Sequence, residues 1–119
     1  MGGPSLIKGK VVLIPFPFDN LSASKVRPAV CLTEPIGAHR HVVLAFITSR
    51  EPEELLETDV VLDPERPGYV ETGLRVQSVL RLHRLMTVST SLVRRELGDL
   101  SSDMQTEVGE KLRTLFDLD

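Results

Sequence analysis

The sequence predicts a mostly β domain with one C-terminal helix, its strands rolled into a small, strongly curved barrel. Two observations carry this. Short runs of β-forming residues are separated throughout by Pro- and Gly-containing turns, the punctuation of a small barrel. Only the tail changes period: in "SSDMQTEVGEKLRTLF", Met104, Val108, Leu112, Leu115 and Phe116 recur at i, i+4, i+8, i+11 and i+12, one stripe of a helix.

The elements follow in order. "KGKVVLIPF" is a strand: four consecutive β-formers from Val11 to Ile14 follow Gly9 and stop at Pro15. Its unbroken apolar character implies burial on both faces. "PFPFDNLSAS" has loop chemistry, two prolines and Asp19-Asn20, with Phe16 and Phe18 as apolar passengers. "RPAVCLT" is a second strand, with Pro28 at its first position, where a strand tolerates proline. "EPIGAHRH" is a turn into a third strand, "VVLAFITS", and the short connection favours an antiparallel meander. "REPEELLE" is enough for only a helical turn. "TDVVLD" is a fourth strand ended by Pro64 and Pro67. "ETGL" is a turn with Gly73 at positive φ. "SVLRL" and "LMTVS" read as two short strands, and "TSLVRREL" as a shorter helix ended by Gly98. Ser102, with Gln105 three residues on, forms a capping box for the final helix.

At 119 residues, 41% apolar and 26% charged, the chain has the size and balance of one soluble globular domain, residues 1–119. No apolar run reaches the roughly 18 residues of a membrane span, and "MGGPSLIKGK" lacks a signal-peptide centre. A single Cys31 excludes an internal disulfide and any Cys-based zinc site, so the cytoplasm is the expected address.

A net charge of −3 argues against non-specific coating of nucleic acid, yet the charge is segregated. Arg75, Arg81, Arg84, Arg94 and Arg95 fall in a stretch without a carboxylate, while seven carboxylates and no basic residue lie between Glu51 and Glu65. An acidic protein can therefore present a basic face. Segregation on solvated faces explains the same pattern equally well.

The familiar catalytic motifs are absent: there is no Gly-rich phosphate loop, no HExxH and no GxSxG. Of three histidines, His39 and His41 flank Arg40 in a turn and His83 lies beside Arg84, and two histidines two apart without a third ligand make a poor metal site. Cys31, inside an apolar strand, reads as a small hydrophobe. The pair that stands out is Arg27 and Thr48. If the second and third strands are antiparallel, the start of one lies beside the end of the other. A guanidinium fork with permanent charge then meets a hydroxyl at one edge of the sheet, a donor set suited to a phosphate oxyanion. Phe16 and Phe18 would supply stacking surfaces for bases.

These residues resemble a known family. "GKVVLIPFPFDNLSASKVRPAVCL" is similar to the N-terminal block of the MazF/PemK toxins, ribosome-independent mRNA endoribonucleases of type II toxin–antitoxin systems. "VVLAFITS" resembles the family's strand ending in Thr, and "TGLRVQSVLRLHRLMTV" its Gly-Leu, Ser-Val and following strands. The resemblance spans roughly residues 7 to 116 and implies an SH3-like small barrel in a homodimer, with no cofactor and no metal. It implies single-stranded RNA as substrate and an antitoxin as protein partner, with no membrane role. Arg27 would be the catalytic arginine, and Thr48 the hydroxyl holding the scissile phosphate. Ser78 matches a family serine near the site. Phe16, Phe18, Asp19, Ser24, Lys25, Ser49, Ser78 and Arg81 make up the expected RNA-contacting set. The implied reaction is attack of the ribose 2′-OH on the adjacent phosphate, giving a 2′,3′-cyclic phosphate and a 5′-hydroxyl. The chain departs from the family in lacking a carboxylate after Asp19 in the loop, and in carrying Met86 where some members have arginine. Asp19, a histidine and Arg27 itself all remain open as the general base. A non-catalytic dimeric binding module of the same fold, binding antitoxin or inhibiting a protein target as CcdB-type proteins do, is the alternative.

Overall fold

A computed structural model describes residues 7–15 and 25–119. Six strands, β1 (Lys10–Pro15), β2 (Val26–Cys31), β3 (His41–Thr48), β4 (Asp59–Leu62), β5 (Ser78–Ser89) and β6 (Arg95–Asp99), precede one helix, α1 (Ser102–Phe116). They form one antiparallel sheet in the order β4-β5-β3-β2-β1-β6. The sheet curls into a half-barrel, with β4 and β6 as its two edges.

The apolar runs of β1 to β3 are buried on both faces, as their composition predicts. Alternation sends Val11, Val30, Ala45 and Ile47 to one side, where Leu80, Leu82, Met104 and Val108 complete a core beneath α1. Val12, Ile14, Ala29, Cys31, Val42, Leu44 and Phe46 form a second cluster on the other side. Met104 is wholly buried, and sealing one such side chain from water is worth about 1.5–3 kcal/mol. Leu112 and Leu115 are partly buried against the same core, whereas Phe116, at the end of the predicted stripe, points outward at 54% exposure.

Four expectations are corrected. The segment "TSLVRREL" is not a helix: Thr90–Leu92 is one 3₁₀ turn, and β6 runs from Arg95 to Asp99 along β1. Gly98 ends no helix. It lies within β6 opposite Val11, at a place that requires glycine because a Cβ there would overlap the backbone oxygen of Glu71 and sit 2.7 Å from the Thr72 carbonyl carbon. The two short strands of residues 78–89 are one 12-residue strand, interrupted in register. The α1 N-cap is Ser101 rather than Ser102: its hydroxyl accepts from the Met104 amide at 3.1 Å, while Gln105 donates its side-chain amide to the Leu100 carbonyl. Pro28 is the third residue of β2, not the first, and the β2–β3 ladder begins only beyond it, at Ala29. Gly73 does adopt positive φ, at 76°.

The two outermost strands, β4 and β6, are both covered in part, while β4 spans β5 only as far as Arg81. On β4 the Asp59 amide donates to the Leu56 carbonyl at 3.0 Å. The Asp59 carbonyl accepts from Lys111 Nζ of α1 at 2.6 Å, and the Val61 carbonyl from Arg66 Nη1 at 3.2 Å. Both cations also hold Glu107, each at 2.7 Å. On β6, Gly98 packs against the turn at Val70–Thr72, and Gly73 packs against the Leu97 carbonyl.

Candidate active site

The β2–β3 register pairs Ala29 with Phe46 and Cys31 with Leu44. Continuing it two residues toward the edge sets Arg27 against Thr48. Side chains two apart on a strand share a face, so both project from the side that buries Ala29 and Phe46, opposite α1. A cleft of about 450 Å³ opens there, and Arg27, Thr48 and Ser49 line it. Phe46 and Ile47 form its apolar part.

Three more arginines line the cleft: Arg50, Arg81 and Arg84. Arg81 and Arg84 are three apart, so a regular strand would turn them to opposite faces. The register of β5 resolves this. Leu80 pairs with Ile47 and Leu85 with Ala45, so β5 spends extra residues opposite β3. Leu80 and Leu82 point into the α1-side core, as does Leu85, while Met86 and Val88 pack on the other side. The bulge thus resets the alternation and delivers both arginines to one cleft, the re-aiming that bulges provide beside functional sites. No carboxylate is among the described residues that line it.

Thr48 closes a small turn. Its hydroxyl accepts from the Arg50 amide at 3.0 Å and donates to the Arg50 carbonyl at 3.4 Å. The second contact is near the limit of hydrogen bonding, so the proton can turn to an incoming oxyanion at little cost. Arg81 is held differently. Its Nε and Nη2 both donate to the Asp59 carboxylate at 3.1 Å, a side-on bidentate pair, and Nη2 also reaches the Glu54 carbonyl at 3.4 Å.

The remaining expected residues fall in several places. Ser49 lines the cleft. Ser78 does not: it is buried, and its hydroxyl donates to the Val76 carbonyl at 2.9 Å. Lys25 is exposed just before β2 and outside the cleft lining. Phe16, Phe18, Asp19 and Ser24 lie outside the described residues. His41 begins β3 and Thr48 ends it, seven residues or about 23 Å along the strand at 3.3 Å each, while His83 is exposed on β5 between Arg81 and Arg84 and outside the cleft lining. Among the described residues no group of three His, Cys, Asp or Glu is placed to hold a metal ion. Arg50 and Arg84 were not among the expected contacts. Arg50 immediately follows the predicted "FITS" strand end, a cue available in the sequence; Arg84 depends on the bulge.

Over residues 7–116 the sequence matches the family described as PemK-like, MazF-like toxin of type II toxin–antitoxin systems. The chain belongs to the PemK/MazF toxin family. No curated protein matches it in sequence. Among solved structures, it is similar to the Mycobacterium tuberculosis toxin MazF-mt6 with a TM-score of 0.68 and 24% identity, covering 92% of this chain and 98% of that one. An endoribonuclease in complex with its cognate antitoxin, from a mycobacterial species, aligns with a TM-score of 0.69 at 14% identity, covering 97% and 98% of the two chains. MazF in a MazE–MazF complex from Deinococcus radiodurans gives 0.65 at 20%, covering 98% and 100%. At these identities the likeness is one of fold, and it extends over nearly the whole PemK/MazF-like chain.

Proposed function

We propose that the protein is the toxin of a type II toxin–antitoxin pair and cleaves single-stranded RNA in the arginine-lined cleft. The observation that carries this is the convergence of Arg27 and Thr48, from neighbouring strands, on one face of a cleft without a described carboxylate. An RNA phosphate seated there meets a permanent cation and a rotatable hydroxyl. The ribose 2′-oxygen attacks phosphorus, the 2′-oxygen–phosphorus bond forms, and the bond to the 5′-oxygen breaks. The 2′ proton passes to a base and the departing 5′-oxygen takes up a proton, leaving cyclic-phosphate and 5′-hydroxyl ends. Charge builds on the non-bridging oxygens, and each preplaced donor aimed at them is worth about 3 kcal/mol. The need for a 2′-OH selects RNA over DNA. Structural relatives named as a complex with antitoxin support a protein partner, which an arginine-lined cleft would attract through acidic residues. A homodimer is part of the same reading.

The test is incubation of purified protein with mixed-sequence single-stranded RNA in EDTA, with mapping of fragment ends. Cuts at a short recurring sequence, bearing cyclic phosphates and lost in Arg27→Ala and Thr48→Ala, are expected. Intact RNA from folded protein would move the reading to a non-catalytic binding module.

A further inference from the structure

Resting on the ribonuclease reading, we infer that Asp59 is a positioning residue: it aims Arg81 at the RNA backbone and cancels that arginine's net charge. Arg81 is thereby a directional donor that adds little to the long-range attraction of the polyanion.

The geometry distinguishes Arg81 from an ordinary surface arginine. Two of its three nitrogens are fixed on the Asp59 carboxylate, and Nη2 also approaches the Glu54 carbonyl. Its Nη1 has no bond among the described residues, and Arg81 lines the cleft. A planar guanidinium anchored along one edge presents the remaining N–H groups in a single direction. The anchor is itself immobile. The Asp59 side chain is wholly buried and also accepts the Leu56 amide at 2.8 Å. Its backbone amide is bonded to the Leu56 carbonyl, and its carbonyl is held by Lys111 from α1. Asp59 is the direct cross-strand partner of Arg81 in the β4–β5 ladder.

A buried ion pair is a poor device for stability alone, since an apolar pair of similar volume does as well or better. Retained at the margin of a cleft, it fixes the plane of one donor and removes one unit of charge from the field. Arg81 should therefore govern the rate of the bound complex more than affinity.

The test uses the full chain, single-turnover cleavage of the mixed-sequence RNA, and binding of a 2′-O-methylated oligonucleotide that cannot be cut. Asp59→Asn is expected to tighten binding and to steepen the dependence of log affinity on log salt by about 0.7, the contribution of one more neutralised phosphate on a single strand. Its cleavage rate should fall about tenfold or more, as for the loss of a charge-assisted hydrogen bond. Arg81→Lys, which keeps the charge and loses the fork, should cut about tenfold slower with affinity within about twofold. An unchanged salt slope in a folded Asp59→Asn, or a wild-type rate in Arg81→Lys, overturns the inference. If Asp59→Asn fails to fold, Arg81→Lys decides by the same split between rate and affinity. If the wild-type protein cuts nothing, the ribonuclease reading fails on its own, and the salt slope on uncleavable RNA still decides whether Asp59 cancels cleft charge.

Discussion

Replacing Thr48 with valine keeps the branched shape of the side chain and removes only its hydroxyl. The structural cost is small. The Arg50 amide loses its 3.0 Å acceptor at an exposed turn where water can replace it, so about 1 kcal/mol is expected, a fall of about 4 °C in melting temperature. The chemical cost is larger. A donor aimed at the developing oxyanion is worth about 2.7–4 kcal/mol, and each 1.36 kcal/mol is about tenfold in rate, giving a loss of about a hundredfold to a thousandfold. Binding of uncleavable RNA should change by less than about threefold, because Arg27, Arg50 and Arg84 still line the cleft. Single-turnover cleavage, thermal unfolding and anisotropy with 2′-O-methyl RNA separate these effects. A folded Thr48→Val that cuts within tenfold of the wild-type rate would refute the assignment of Thr48 to the reacting phosphate.

Further predictions concern the frame around the cleft. Gly98→Ala drives a methyl group into the Glu71 and Thr72 backbone, which cannot rotate aside; a loss of about 3 kcal/mol in urea unfolding is expected, and wild-type stability would show that the turn gives way. Burial, with Glu96 and Glu34 adding to it, pushes the Cys31 thiol up to about 11, so a disulfide reagent at pH 8 should react only upon unfolding. Fast labelling of native protein would place that thiol in a solvated site. Burial pushes Glu107 up, but hydrogen bonds and charge from Lys111 and Arg66 outweigh it and hold its carboxyl below the usual range. A carboxyl depressed in the folded state stabilises above its unfolded pKa of about 4.3, and that stabilisation is lost as pH falls through the folded value. Glu107→Gln should therefore be less stable than wild type at pH 7, with the difference closing toward pH 3; a constant difference in urea midpoints would argue against it.

What the sequence made legible was local. The apolar runs of β1 to β3 exist because both faces are buried, and that alone identifies them. Antiparallel pairing then puts Arg27 near Thr48 without further information. The errors arose where tertiary contact overrides local preference. "TSLVRREL" carries helix-compatible periodicity, but β1 offers it an open ladder and Gly98 lets the chain approach Glu71 closely. Residues 78–89 read as two strands because the bulge breaks the alternation, and the bulge is visible only against β3. For the same reason Arg84 was missed. Arg81 was among the expected RNA contacts, but its tie to Asp59, 22 residues away, leaves no local trace.

The covering of β4 and β6 limits where another polypeptide can add a strand. An open edge is a template for an added strand, through which many proteins capture extended peptides or polymerise. Here the outward carbonyls of Asp59 and Val61 on β4 are already spoken for by Lys111 and Arg66, and the flank of β6 is filled by the turn at Val70–Thr72. Strand addition at β4 would have to displace two cations that also neutralise Glu107. At these two strands a partner chain is left to side chains, on the faces or in the cleft, where a few substitutions on either partner can change who recognises whom.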